Sequence, residues 1–186
     1  MKGNDIRKGV VLLYNGVPHK VIEFQHSTPG NLRARVQTKL RNLLSGTQTE
    51  VRFSATEEIE VADVFTVSAT YLYSDVSGYH FMNGETYEQV TFDEETLGDA
   101  KYYLQDGMAV QITLYEEQPI GIQLPMTVVL TVVETEPAIK GATATNSPKP
   151  AKTETGLTVS VPAFVTEGEK IVVNTSEGTY VSRSDS

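Results

Sequence analysis

The feature that most constrains the fold is a repeated alternation of short apolar segments with turn-forming residues. Residues 10–14 and 17–24 flank Asn15-Gly16, a pair that suits a two-residue hairpin turn because both positions need positive φ. Similar short segments recur along the chain, with Asn83-Gly84 at another turn. Many short strands at regular spacing predict an all-β protein of small barrels. Three barrels of roughly 60 residues fit the length better than one large sandwich.

Two segments depart from this pattern. Asp93 is a candidate N-cap for a single short helix with Leu97, Ala100 and Leu104 on one face and Gly107 at its end. Residues 137–155 are rich in Gly, Ala, Thr, Pro and Lys, and they predict a long loop. Loops of this length inside compact domains are usually functional or disordered.

Composition excludes several classes of protein. The 186 residues contain no Cys, which excludes disulfides, thiolate zinc sites, iron–sulfur clusters and a Cys nucleophile. No apolar run approaches the roughly 18 residues of a membrane span, and the N-terminus lacks the apolar region of a secretory signal. The three histidines are too widely separated to suggest a metal site. We expect a cytoplasmic protein with no membrane partner, no cofactor, no metal and no catalytic residues.

Charge is distributed unevenly along the chain. Residues 1–60 hold nine basic and six acidic groups, while residues 61–186 hold six basic and eighteen acidic groups. No acid occurs between Glu23 and Glu50. Because an acidic body is repelled by phosphate, this asymmetry predicts a molecule that meets RNA only through its basic end. A solvated basic face without a partner is compatible with the charges alone.

Residues 33–41 alternate strictly between polar and apolar side chains. As a strand, this segment places Ala34, Val36, Thr38 and Leu40 on one face. The opposite face then carries Arg33, Arg35, Gln37, Lys39 and Arg41. Such a row of cations suits the RNA backbone, since Arg can grip a phosphate with two N–H groups. The alternative is again a solvated face.

Several segments, in order along the whole chain, resemble bacterial elongation factor P. They are residues 39–43 (KLRNL), 45–47 (SGT), 71–73 (YLY), 80–82 (HFM), 87–89 (YEQ), 133–137 (VETEP), 139–141 (IKG), 149–157 (KPAKTETGL), 172–176 (VVNTS) and 180–183 (YVSR). The resemblance implies an SH3-like (KOW-type) barrel over residues 1–64. Two OB-fold barrels would follow over residues 65–128 and 129–186, in an L-shaped molecule of the size of a tRNA.

The function implied by the resemblance is that of a translation elongation factor. Such a factor binds the ribosome between the peptidyl and exit sites, stabilises the peptidyl-tRNA in the P site and stimulates peptide-bond formation. Stalling at consecutive prolines is thereby relieved. We expect it to act as a monomer.

The tip loop of the first barrel departs from the family pattern. Counting back without a gap, the family's modified Lys or Arg falls on Asn31, within Pro29-Gly30-Asn31-Leu32-Arg33. Asparagine offers neither an amine nor a guanidinium for modification. We therefore expect an unmodified tip near the tRNA CCA end, flanked by phosphate contacts from Arg33 or Arg35. Two alternatives stay open: Asn31 is only a turn residue, or Arg33 is a displaced sugar acceptor.

In the C-terminal barrel, the resemblance implies RNA contacts at Gly141, Thr143, Tyr180 and Arg183. The loop at Gly141 would approach mRNA at the exit site, but Ala142 stands where the family usually has Asp, which weakens that inference. A Tyr in a terminal strand is also often part of a core or its rim.

Two other functions compete with this interpretation. The first is the elongation factor P-like paralogue, which has the same fold and a narrower translational role. The second is an enzyme whose OB barrels bind a small polar ligand. The absence of a catalytic constellation argues against the enzyme.

Overall fold

The computed structural model describes residues 1–30, 32–138 and 147–185, and in these it forms strands and only short helices. The strands are β1 (Val11–Tyr14), β2 (Val17–Ser27), β3 (Arg35–Asn42), β4 (Gln48–Ser54), β5 (Val64–Asp75), β6 (Gly78–Asn83), β7 (Gln89–Phe92), β8 (Ala109–Tyr115), β9 (Gln118–Gln123), β10 (Thr127–Thr135), β11 (Lys149–Thr153), β12 (Thr158–Val161), β13 (Lys170–Asn174) and β14 (Thr179–Arg183). The helices are α1 (Glu94–Leu97) and two 3-10 segments, Gly3–Asp5 and Gly98–Tyr103. The all-β prediction is confirmed.

The strands form three sheets. Their orders are β1-β2-β3-β4, β7-β6-β5-β8-β9 and β12-β11-β10-β13-β14. The described residues separate into two compact units, Met1–Val67 with Ile112–Ile122, and Ser68–Gln111 with Gln123–Ser186.

The first sheet is an antiparallel meander over its own hydrophobic core. Asn15 and Gly16 have φ of 53° and 76°, which confirms the predicted hairpin turn between β1 and β2. Leu12, Val21, Val36 and Leu40 are fully buried on the inner face. Burial of four such side chains on alternate positions fixes which face of each strand points outward, because a one-residue slip would expose them all.

The third sheet encloses a second core in which the 3-10 helix Gly98–Tyr103 takes part. Tyr103 is buried there with residues such as Leu130 and Ile171. The side-chain amide of Gln105 donates a hydrogen bond to the carbonyl of Val129 at 2.6 Å. These contacts attach residues 98–105 firmly to the third sheet.

Three details differ from the prediction. Asp93 caps the helix as predicted, since its side chain accepts a hydrogen bond from the Thr96 N–H at 2.7 Å. The helix α1 nevertheless ends at Leu97, and a 3-10 segment begins at Gly98, where φ is 55°. The short apolar segments at 59–67 and 70–73 predict two strands, but the structure has one continuous strand, β5, that begins only at Val64 and ends at Asp75. The loop expected over 137–155 contains β11, in which buried and exposed residues alternate. Pro150 lies within this strand opposite Ser160, although proline cannot donate to a ladder.

Candidate nucleic-acid interface

The candidate interface is the outer face of the first sheet, centred on β3. Along this strand Val36, Thr38 and Leu40 are buried, while Arg35 is exposed and Lys39 half-buried. The buried Thr38 hydroxyl donates to the Val51 carbonyl at 2.7 Å, so its polarity is satisfied within the inner face. The strand therefore displays its cations outward.

Strand register divides these cations into separate zones. Reading from the loop between β2 and β3, the outer rows are Ser27–Arg35–Ser54, Gln25–Gln37–Arg52, Glu23–Lys39–Glu50 and Lys20–Arg41–Gln48. Residues directly opposite each other on neighbouring strands project to the same face. The row at Lys39 therefore carries two carboxylates and one ammonium, and it separates two positive zones.

The tip-side zone consists of Arg33, Arg35 and Arg52. Arg33 is exposed and lies just before β3, and the Arg52 guanidinium donates from Nε to the Gln37 side-chain oxygen at 3.0 Å. None of these arginines forms an ion pair within the described part of the chain. Their remaining N–H donors face solvent and can meet phosphate oxygens.

The base-side zone consists of Lys8, Lys20 and Arg41. Lys20 lies directly opposite Arg41, and Val11 and Gln48 on the two outer strands complete the row. Lys20 is exposed, but partial desolvation of its ammonium by the surrounding atoms lowers its pKa, and the charges of Lys8 and Arg41 lower it further. Strand β3 thus places Arg35 and Arg41 in different zones, at the two ends of the face.

Three of these cations escaped the sequence prediction. Lys20 and Arg52 lie on β2 and β4 and join the face through strand pairing. Lys8 precedes β1 and is brought to the face by the backbone hydrogen bond from Gly9 to Val21. Two sequence signals could have placed residues of other segments beside β3: the alternation within residues 48–54 and the hairpin at Asn15-Gly16. The bulge in β2 between Val21 and Glu23 shifts the register by one residue, and no residue pattern marks it.

A backbone hydrogen bond joins the two sides of the tip loop. The Leu32 N–H donates to the Pro29 carbonyl at 2.9 Å, and Gly30 has φ of 51°, a conformation that suits glycine because it has no Cβ. Leu32 is 66% exposed. Asn31 lies outside the described residues, as do Gly141, Ala142 and Thr143.

The two C-terminal candidates, Tyr180 and Arg183 on β14 of the third sheet, already have contacts within the protein. Tyr180 is half-buried against the core. The Arg183 guanidinium lies 3.5 Å from a Glu169 carboxylate oxygen and 4.6 Å from the centroid of the Phe164 ring. Both side chains thus have intramolecular contacts, although the Arg183 side chain remains 54% exposed.

His80 has a structural environment that its sequence position did not reveal. It is buried, with Nε2 at 2.8 Å from Asp75 Oδ1 and Nδ1 at 2.8 Å from the Thr91 hydroxyl. Hydrogen bonds from Ser77, and then the contact with His80, lower the pKa of Asp75 to about 2. The cluster ties the β5–β6 turn to β7.

Two further features of the described residues bear on the predictions. Among residues 1–30, 32–138 and 147–185, no group of three or more His, Asp or Glu side chains could hold a metal ion. Every helix in the same ranges is too short or too polar to cross a membrane.

Three family models match the chain in succession. The elongation factor P KOW-like domain matches residues 2–59, the elongation factor P OB domain matches residues 64–122, and the elongation factor P C-terminal model matches residues 128–183. The first of these ranges includes both positive zones. The SH3-like (KOW-type) and OB-fold predictions are thus confirmed at the level of the family models.

Curated relatives match over nearly the full length. Elongation factor P of Gemmatimonas aurantiaca is 49% identical over 179 residues, covering 96% of this chain and 95% of that protein. Elongation factor P of Acidobacterium capsulatum is 48% identical, covering 96% of each. A solved structure, eukaryotic translation initiation factor 5A from Methanococcus jannaschii, aligns at 16% identity with a TM-score of 0.43, covering 65% of this chain and 86% of that one. From the family models and the curated relatives, the chain belongs to the elongation factor P family of translation elongation factors.

Proposed function

We propose that this chain binds the ribosome between the peptidyl and exit sites and stabilises the peptidyl-tRNA in the P site. It would stimulate peptide-bond formation and so relieve stalling at consecutive prolines. The observation that carries the proposal is the tip-side zone. Arg33, Arg35 and Arg52 lie at the end of the first sheet nearest the tip loop, without ion pairs in the described structure, on a domain that matches the family's KOW-like model.

The physical basis of the activity is positioning. Proline restricts the geometry of peptide-bond formation because its ring fixes φ. A factor that holds the CCA end of the peptidyl-tRNA restores a near-attack arrangement at the ribosome's own active site. Arginines at the tip would hold the tRNA backbone through charge-assisted hydrogen bonds. The protein itself then acts without catalytic residues, cofactor or metal.

The tip loop, Pro29 to Arg33, is proposed to act unmodified. Asn31 replaces the family's usual Lys or Arg, and an amide provides no amine or guanidinium for extension. The neighbouring Leu32 is exposed and gives the tip an apolar contact surface. Intact-mass spectrometry of the protein purified from its native host should return the unmodified mass. An added group on residues 28–33 would contradict this part of the proposal.

Further contacts are proposed along β3 and in the C-terminal barrel. Arg35, Lys39 and Arg41 would contact RNA phosphates, and the contribution of Lys39 would be the weakest because Glu23 and Glu50 flank it in its row. The remaining proposed RNA contacts are Gly141, Thr143, Tyr180 and Arg183. Gly141 and Thr143 would face mRNA at the exit site through backbone and hydroxyl groups.

The proposed organisation is three domains, residues 1–64, 65–128 and 129–186, in a monomeric cytoplasmic protein. This division resembles the spacing of the three family matches, 2–59, 64–122 and 128–183.

Rescue of translation tests the proposal directly. A strain that lacks its own elongation factor P, carrying a reporter interrupted by consecutive prolines, should regain reporter synthesis when this chain is expressed. A reporter without the proline run serves as the control and should not change. Failure to rescue, with the protein present in normal amounts, would favour the elongation factor P-like paralogue with its narrower role. Ribosome profiling in the native host would then show which sequences pause.

A further inference from the structure

The base-side zone brings three cations together at the end of the first sheet farther from the tip loop. Lys20 on β2 and Arg41 on β3 are paired directly in the register. Lys8 approaches them because the Gly9 N–H donates to the Val21 carbonyl at 2.8 Å, and the Val21 N–H donates to the Val10 carbonyl at 2.9 Å. The chain before β1 is therefore held beside Lys20.

In the described part of the chain, no carboxylate lies within ion-pair distance of this group. Lys8, Lys20 and Arg41 form no ion pair within the described ranges. The residues that flank the Lys20–Arg41 pair in its row are Val11 and Gln48, which carry no charge. Like charges directly opposite on neighbouring strands destabilise a sheet. Binding of an anion would reduce the repulsion between these cations.

We propose that Lys8, Lys20 and Arg41 form a phosphate-binding site, distinct from the tip loop, whose natural occupant is a backbone phosphate of RNA. Arg41 offers a planar pair of N–H donors that can bind two phosphate oxygens, and the two lysines add point charges. The lowered pKa of Lys20 agrees with a cation that still lacks its counter-ion. The RNA source rests on the proposed function, whereas the phosphate site rests on the contacts alone.

Distance separates this site from the tip-side zone. Arg35 and Arg41 are six residues apart on one strand, which at about 3.3 Å per residue places their backbones roughly 20 Å apart. The acidic row at Glu23 and Glu50 lies between them. One phosphate cannot bridge the two zones, so each must bind its own.

The test is a nuclear magnetic resonance titration of the full-length protein at constant ionic strength, first with inorganic phosphate and then with a short single-stranded RNA. Both ligands should shift the amide signals of residues 8–11, 20–21 and 41. The substitutions Lys20→Gln and Arg41→Gln should each weaken phosphate binding about tenfold. Lys152→Gln, an exposed lysine on β11 in the third sheet, is the matched control and should bind as the wild type does.

Several outcomes would overturn the assignment. Equal affinity of Lys20→Gln and the wild type for phosphate would exclude the site, as would small shifts spread evenly over all Lys and Arg residues. Shifts with phosphate but not with RNA would exclude RNA as its occupant. Proline-reporter rescue is scored separately: normal rescue by a protein that does not bind phosphate would reject the site and leave the proposed function intact.

Discussion

Arg35 and Lys39 are two cations on the same strand face for which the register predicts unequal roles. Arg35 lies in a row with Ser27 and Ser54 and is exposed, without an ion pair in the described structure. Lys39 also forms no ion pair within the described ranges, but the register places it directly between the two acidic residues Glu23 and Glu50. Neutralising each in turn, as Arg35→Gln and Lys39→Gln, therefore separates a phosphate contact from a locally balanced charge.

The expected magnitudes follow from this difference. A hydrogen bond to a charged group contributes about 1.5–3 kcal/mol, so loss of Arg35 should weaken ribosome binding by about tenfold or more. The loss of one phosphate contact should also reduce the slope of log affinity against log salt by about 0.7–0.9. Lys39→Gln should leave that slope unchanged and weaken binding by less than about threefold, because the carboxylates of Glu23 and Glu50 reduce the attraction of Lys39 for phosphate.

The assay is ribosome binding measured at four or more salt concentrations with each variant and the wild type. Arg52→Gln, on the neighbouring strand and in the same tip-side zone, should reproduce the Arg35 result in direction. The reasoning is refuted if Lys39→Gln reduces the salt slope as much as Arg35→Gln does. It is also refuted if Arg35→Gln leaves both affinity and slope unchanged, which would mean that the face is only solvated.

Three further predictions concern stability. The depressed pKa of Asp75, about 2 against an ordinary 3.8, means that the carboxylate stabilises the fold above pH 3.8 and that this contribution is lost between pH 3.8 and about 2. Urea midpoints measured across this range should fall less steeply for Asp75→Asn than for the wild type. Tyr103→Ala should lower the free energy of unfolding, measured with denaturant, by about 3–5 kcal/mol, because the ring is buried in the third-sheet core. Tyr103→Phe keeps the ring and should change that free energy by no more than about 1 kcal/mol. Equal losses in the two variants would contradict the packing role. Lys20→Gln should raise the free energy of unfolding at neutral pH by about 0.2–1 kcal/mol, because it removes the repulsion from Arg41. Since the pKa of Lys20 is lowered in the folded state, the wild type becomes more stable as pH rises toward 10.5, and the difference in thermal midpoint between variant and wild type should shrink there. A variant less stable than the wild type at neutral pH would contradict the repulsion.

Sequence patterns predicted the local elements well and the long-range relations less well. The hairpin at Asn15-Gly16 and the outward face of β3 follow from backbone preference and alternation, which are local properties. The end of α1 could not be predicted because Gly98 stops the helix while Tyr103 is drawn into the core of the third sheet. Strand β11 was missed because the composition of residues 137–155 is typical of a loop, whereas the strand forms through pairing with β12, in which Pro150 lies opposite Ser160.

The sequence indicated only part of the cations on the candidate face. Arg33, Arg35 and Arg41 were found because they share one segment, but their partners Arg52, Lys8 and Lys20 come from other segments. A bulge after Val21 decides that Glu23 faces Lys39 and that Lys20 faces Arg41. Had the register slipped by one residue, these charges would have been turned toward the core.

The separation of the two positive zones has a consequence for selectivity. A continuous cationic stripe would attract any polyanion, since phosphate binding by Lys and Arg carries no sequence information. Here the carboxylates of Glu23 and Glu50 interrupt the stripe, and residues 61–186, with eighteen acidic and six basic groups, repel phosphate elsewhere. Only a ligand whose phosphates reach both zones, roughly 20 Å apart along β3, gains from both at once. A folded RNA backbone holds phosphates at such fixed separations, whereas a flexible strand must lose conformational entropy to do so. The face should therefore prefer structured RNA to single strands of equal charge.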